Sequence, residues 1–364
     1  MSTTVVHNGL DGIVAAETRL SMVDGARGEL VIAGFRVDEL ASRMAFEETV
    51  ALLWGENADL RPELAARRDL APATLALLRA AAERKIDAMD ALRMAADTIA
   101  LEAPNDDREA ALQLVAKFPT IAATYWRLLH GHDPIAPREE LSHAANYLFM
   151  LTGAIPDEEL VRGLETYLNT VVDHGLNAST FAARVIASTE SDFVSAIAGA
   201  IGALKGPLHG GAPGPALDMV FAIGEAGRAE EYLRAKLDAG ERLMGFGHRV
   251  YKVRDPRADV LSAAAERMFT RPGKTTSDMR LYELTRAVER TALRLLAEYK
   301  PGRNLQTNVE FYTALLLHGL GLDVPLFTPT FAISRVAGWT AHCFEQRAAK
   351  RIIRPQSVYV GPLP

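Results

Sequence analysis

Three of the glycine-flanked histidines in this chain stand in unusual settings: His174 in DHGLNAST, His209 in GPLHGG and His248 in GFGHRVYKVRDPR. Glycine lets the backbone approach a ligand closely and presents a polar neighbour from a tight turn. One such histidine is more often an ordinary loop residue, but three in one chain shift the balance toward a site. A histidine of this kind can donate a hydrogen bond to a carbonyl, serve as a general acid or bind a metal, and spacing alone does not choose among these roles.

Glu310, in TNVEFYTALLLHGL, sits just ahead of a long apolar run. Thr307 and Glu310 match the S/T-x-x-E capping box, and a carboxylate suits the positive end of a helix dipole. The pattern predicts a helix that starts with Thr307 as its cap, and it leaves open whether Glu310 is a base or only part of that cap. Arg249, Lys252, Arg254 and Arg257 fall within ten residues, as a solvated face or as a binding surface for a polyanion or a small acid. Arg335 lies in the apolar FAISRVAG, where a guanidinium needs an anionic partner from protein or ligand. Arg354, in KRIIRPQSVYVG, reads by itself as a surface arginine on a tail.

The elements that must position these groups are mostly α. Segments such as DLAPATLALLRAAAERKIDAMDALRMAADTIALEA repeat their apolar residues at helical spacing. Helix punctuation is frequent: Pro72 follows a first helical stretch, and helix starts are expected at Pro156 with its following acidic residues and at a Ser191 cap. One small β-hairpin is expected around Asp24, Gly25 and Gly28. Two Gly/Pro clusters, at 205–215 and 299–304, bracket about a hundred residues that read as a second domain.

Composition removes several function classes. A chain of 364 residues with 24% charged residues and a formal net charge of −6 lacks the basic footprint of a nucleic-acid binder. The single cysteine, Cys343, can form no internal disulfide, fits a reducing compartment and reads as core. No targeting segment or membrane span is evident, so a soluble cytoplasmic protein is expected. GFGHRV has Val250 where a dinucleotide fingerprint needs its third glycine, and there is neither a Walker A motif nor a G-x-S-x-G elbow. There is no HExxH helix, HGH at 130–132 reads as loop, and no metal is assigned.

Taken in order, GLDGIVAAETRLSMVDG, DHGLNASTFAARV, GALKGPLHGGAPG, GFGHRVYKVRDPR, NVEFYTALLL and RIIRPQSVYVG resemble the citrate synthase family, including its 2-methylcitrate synthase members, over nearly the whole chain. The resemblance implies a mostly helical homodimer whose subunits have a large domain, here 1–206 with 311–364, and a small domain, 207–310, that closes over the site. It implies a condensation of acetyl-CoA with oxaloacetate followed by thioester hydrolysis. No cofactor is required, coenzyme A entering as part of a substrate. By position, Glu310 matches the family's base, His209 the histidine at the thioester oxygen, and His248 the histidine that polarises the ketone. His174, Arg257, Arg335 and Arg354 match oxaloacetate contacts, with Arg354 reaching the partner's site. Lys252, Gly245 and Gly247 fall in the segment that approaches CoA. Two departures stand out: Glu310 occupies the place of a customary aspartate, and Gly175 that of a frequent glutamate. Propionyl-CoA use is the nearest alternative activity. A non-catalytic CoA or dicarboxylate binder is the alternative of another class.

Overall fold

The computed structural model describes residues 6–10, 12–102, 106–210, 213–271, 273 and 275–363. Sixteen α-helices, four short 3-10 helices and one three-stranded sheet lie among these residues, joined by loops. The expected hairpin is present: β1 (Ser21–Asp24) pairs antiparallel with β2 (Glu29–Ile32), Ser21 opposite Ile32 and Asp24 opposite Glu29. A third strand, β3 (Phe35–Arg36), adds to β2 and had no signal in the sequence, being only two residues long. Asp24 Oδ1 accepts the Ala26 and Arg27 N–H groups, which closes the turn.

The hairpin serves as a prop for chemistry elsewhere. Lys252 N–H donates to Gly25 O at 2.8 Å, and a Cβ on Gly25 would stand 2.2 Å from Val250 O. A Cβ on Gly28, whose φ is +68°, would meet Val253 Cγ2 at 2.7 Å. Only glycine allows the turn to rest directly on the segment that follows His248.

The helix Phe327–Ala349 lies at the centre of the core. It packs against the helices Asp107–Leu129, Glu158–Val171, Ala178–Ala187 and Phe193–Leu204. Its sequence is apolar or small on nearly every face, as expected of a helix buried on all sides. Gly338 lets this helix touch the chain ahead of His174, because a Cβ there would stand 2.2 Å from Val172 O. Trp339 and Cys343 are fully buried, and burial pushes the Cys343 thiol up to about 12.

Three helix starts differ from expectation. The Ser191 cap is instead Asp192, whose side chain accepts Ser195 N–H; a carboxylate one residue later captures the donor first. Pro156 lies outside its helix, which Asp157 caps through Leu160 N–H. The helix Val309–Gly319 is capped by Asn308, whose Oδ1 accepts Glu310 N–H at 3.0 Å, so the expected capping box does not form. Pro72 follows the short helix Arg61–Ala65 and is itself the first residue of the next, Pro72–Glu83. Among the described residues no single helix is long and apolar enough to cross a membrane.

Candidate active site

A cavity of about 990 Å³ gathers His174, His209, His248, Arg257, Glu310 and Arg335 on one surface. These six come from five separate stretches of chain. His174 lies in the loop between the helices Glu158–Val171 and Ala178–Ala187, and His209 in the turn after Phe193–Leu204. Arg257 and Glu310 sit in the first turns of Pro256–Thr270 and Val309–Gly319, and Arg335 at mid-length of Phe327–Ala349.

A short backbone pairing brings His248 and Glu310 together. Phe246 and Thr307 form an antiparallel bridge, Gly247 N–H donates to Gln306 O at 2.7 Å, and Asn308 N–H donates to Gly245 O at 3.0 Å. Asn308 also donates its side-chain N–H to Gly247 O at 2.8 Å. Gly245 and Gly247 both have positive φ, +88° and +82°, and a Cβ on Gly245 would press on Phe311 at 2.8 Å. The pairing therefore requires glycine at these positions. Thr307 donates its hydroxyl to Glu289 at 2.8 Å in the interior, which is why it is unavailable as a cap.

Asp255 organises the other half of this corner. Its carboxylate caps Pro256–Thr270 through Arg257 N–H, holds the Arg257 guanidinium at 3.1 and 2.9 Å, and accepts Val309 N–H at 3.1 Å. One buried carboxylate thus fixes the cation and the helix that carries Glu310. Burial works against the Arg257 charge, but Asp255 outweighs it and holds the group above its usual value.

The histidines are held neutral. His209 accepts Ser179 N–H at Nε2, 3.4 Å away, with Ser179 Oγ at 2.8 Å from the same nitrogen. A backbone N–H can only donate, so the His209 proton resides on Nδ1. His248 Nδ1 accepts Val250 N–H at 3.0 Å and Tyr251 N–H at 3.1 Å, which leaves its proton on Nε2. That nitrogen lies 3.3 Å from Arg257 Nη2, so two donors converge where an anionic or carbonyl oxygen would sit. Burial, with Arg335 beside His209 and Arg257 beside His248, lowers each imidazole to about 4. Burial and then Arg257, Arg335 and His248 lower His174 well below its ordinary value. Its Nε2 lies 3.1 Å from the Tyr251 hydroxyl.

Arg335 is buried and donates Nε to Val171 O at 2.7 Å, with its guanidinium 4.6 Å above the Phe331 ring. Among the described residues no carboxylate lies within ion-pair distance of it, and burial lowers it to about 10. Glu310, half-buried, is pushed up to about 7 by burial; Arg257 and Arg335 pull it down and Asp255 raises it further. No hydrogen bond contributes to that balance. A poised carboxylate thus faces neutral imidazole donors and guanidinium charge, which is the equipment for taking a proton from carbon and stabilising the resulting negative oxygen.

The match to known proteins agrees with this chemistry. The family model described as "Citrate synthase, C-terminal domain" matches residues 9–356. The citrate synthase of Haloferax volcanii is 41% identical, across 98% of this chain and 96% of its own. The chain belongs to the citrate synthase family. A 2-methylcitrate synthase of Mycobacterium tuberculosis is 38% identical over 98% of this chain and 91% of its own. The citrate synthase structure from Pyrobaculum aerophilum superposes with a TM-score of 0.87 at 36% identity, covering 98% of this chain and 93% of that one. The Thermoplasma acidophilum citrate synthase, solved as a ternary complex with carboxymethyl coenzyme A and oxaloacetate, gives 0.89 at 29% identity, covering 100% and 98%.

Within this citrate synthase fold the remaining sequence-predicted residues, Gly247 excepted, lie apart from the six. Arg354 is exposed and lines a neighbouring cavity of about 1230 Å³ between the N-terminal stretch and the residues that follow Ala349. Lys252 is exposed and donates Nζ to Arg249 O at 3.1 Å. Gly247 lines the main cavity, whereas Gly245 packs against Phe311. Sequence reasoning missed Ser179, Tyr251 and Asp255. Asp255 carried a readable signal, an Asp-Pro step at a helix start. Ser179 and Tyr251 carried none, because nothing in their spacing says that they turn toward a histidine. Among the described residues no group of His, Cys, Asp and Glu is arranged to hold a metal ion.

Proposed function

We propose that this chain condenses acetyl-CoA with oxaloacetate and hydrolyses the product thioester to citrate and free CoA. The observation that carries the reading is Glu310: a carboxylate raised to about 7, free of hydrogen bonds in its balance of charges, facing His209, His248, Arg257 and Arg335 across one cavity. Glu310 takes a proton from the acetyl methyl group while His209 Nδ1–H donates to the thioester oxygen. The methyl carbon then bonds to the keto carbon of oxaloacetate, and His248 Nε2–H serves the keto oxygen as it becomes a hydroxyl. Water subsequently cleaves the thioester and releases the CoA thiol. Arg257, Arg335 and His174 bind the dicarboxylate, and Lys252 and Gly247 lie toward CoA, with Gly245 supporting that segment.

The working form in this reading is a cytoplasmic homodimer in which Arg354 serves the partner's site, with no cofactor, and residues 207–310 close over the substrates as a smaller domain. The exposed setting of Arg354 supports its use by a second subunit. The similarity to a 2-methylcitrate synthase favours a second acyl substrate, propionyl-CoA. One methylene is worth roughly 1–3 kcal/mol of discrimination, so kcat/KM for the two thioesters decides which is preferred. The test of the main reading is release of free CoA thiol from acetyl-CoA plus oxaloacetate. Wild type is expected to release it and Glu310→Gln to lose release while still binding oxaloacetate by calorimetry. Equal activity in the two proteins overturns Glu310 as base, and wild-type binding without thiol release overturns the enzyme reading.

A further inference from the structure

Behind the cavity runs a buried polar circuit that the chemistry above does not use. Asp173, fully buried, precedes His174; its Oδ2 accepts the Ser21 hydroxyl and lies 3.3 Å from Gly175 N–H, which also donates to Ser21 Oγ at 2.8 Å. Its other oxygen, Oδ1, lies 3.1 Å from His342 Nε2. On the far side His342 Nδ1 lies 3.0 Å from Arg184 Nη1. Arginine can only donate, so His342 accepts at Nδ1 and presents Nε2–H to Asp173. Arg184, buried as well, also donates to Glu345 Oε2 at 2.6 Å and to Gln346 Oε1 at 3.0 Å. Glu345 Oε1 accepts Arg19 N–H at 3.0 Å, two residues before Ser21, so the circuit closes on itself. Gln346 Nε2 donates to Arg351 O at 2.8 Å, which anchors the chain three residues before Arg354.

A buried carboxylate is retained only where its lone pairs are met, and each member here is met by the next. The geometry has a direction. Asp173, two residues after the Val171 O that accepts Arg335 Nε–H at 2.7 Å, fixes the peptide that carries His174 and Gly175, while the other end holds the approach to Arg354. The contact of Gly338 with Val172 O admits no side chain, so the loop rests directly on the backbone of the core helix.

We infer that Asp173, His342 and Arg184 are positioning residues, which set the height of the His174 loop and of the Val171 carbonyl that holds Arg335, for the dicarboxylate and not for the thioester. The inference rests on the proposed dicarboxylate site, and wild-type protein is therefore titrated with oxaloacetate first. Absence of binding there defeats the functional reading and the inference with it; binding followed by unchanged variants defeats the inference alone. His342→Leu removes both bonds, whereas His342→Gln carries one acceptor and one donor and can restore them. His342→Leu is expected to weaken oxaloacetate, in Kd and KM, by roughly tenfold to a hundredfold. The acetyl-CoA KM should move less than about twofold, and His342→Gln should recover most of the oxaloacetate loss. Parallel loss of kcat and of both KM values, or failure of His342→Gln to rescue, overturns the positioning role in favour of a purely structural one. If His342→Leu does not fold, Ser21→Ala on the hairpin decides: a selective rise in oxaloacetate KM supports the inference, and an unchanged value overturns it.

Discussion

Two glutamates flank the start of one helix and were given opposite surroundings. Glu289 lies in the interior and receives the Thr307 hydroxyl at 2.8 Å, the Tyr312 hydroxyl at 2.6 Å and Arg254 Nη1 at 2.8 Å. Burial alone would raise it, but those donors outweigh burial and hold it below the usual carboxylate range. Glu310, three residues beyond Thr307, faces the cavity with no such donors, and burial pushes it up to about 7. The same side chain is a structural anion on one side of the backbone and a proton acceptor on the other. Hydrogen-bond supply, more than burial, separates the two roles.

The sharpest way to break this comparison is to neutralise each glutamate in turn. Glu310→Gln should lower kcat about 10²–10⁴-fold, the range of general-base catalysis. It should also raise Tm at pH 8. The folded-state value of about 7 exceeds the ordinary 4.5, so this ionised group opposes folding above pH 7, and its replacement removes that opposition. A lower Tm would contradict the assigned environment. Glu289→Ala should do the reverse, destabilising the fold by about 2–4 kcal/mol in urea titrations because the buried Thr307 and Tyr312 hydroxyls lose their acceptor. Its kcat at temperatures where it remains folded should stay within about tenfold of wild type; a larger loss would make Glu289 part of the chemistry.

Acidity tests the contrast without mutation. Glu310 must be ionised to accept a proton, so kcat/KM should fall about tenfold between pH 8 and pH 6 along a single limb near 7. His209 and His248, lowered to about 4, should contribute no limb in that window. The smallest effect concerns the helix start. Asn308→Ala should cost about 1 kcal/mol, measured by chemical denaturation, as the loss of a true cap does.

That last position shows what the sequence could and could not say. The helix and the carboxylate were legible in NVEFYTALLL, but T-x-x-E pointed to Thr307 as cap. The hydroxyl is taken instead by Glu289, eighteen residues earlier in the chain, and Thr307 itself is tied to Phe246. Local pattern cannot weigh a competing partner supplied by another helix. The three histidines, the arginines and Glu310 were legible as candidates, and the family resemblance supplied their roles position by position. Their convergence was not legible from spacing, since it depends on the Gly245–Gly247 pairing and on Asp255, which act between distant segments. Asp173 and Ser179 lay inside DHGLNAST in plain view, yet sequence does not tell which polar side chains turn inward.

The hairpin propped against the residues after His248 sets a schedule for assembly. Gly25 O waits for Lys252 N–H, more than two hundred residues later in the chain. At ordinary rates of synthesis the turn leaves the ribosome on the order of ten to forty seconds before its partner exists. The contact is therefore among the most non-local in the molecule, and long-range contacts of this kind form late. The His248 segment gains its support when about two-thirds of the chain has been made, and the core helix Phe327–Ala349 arrives only after it.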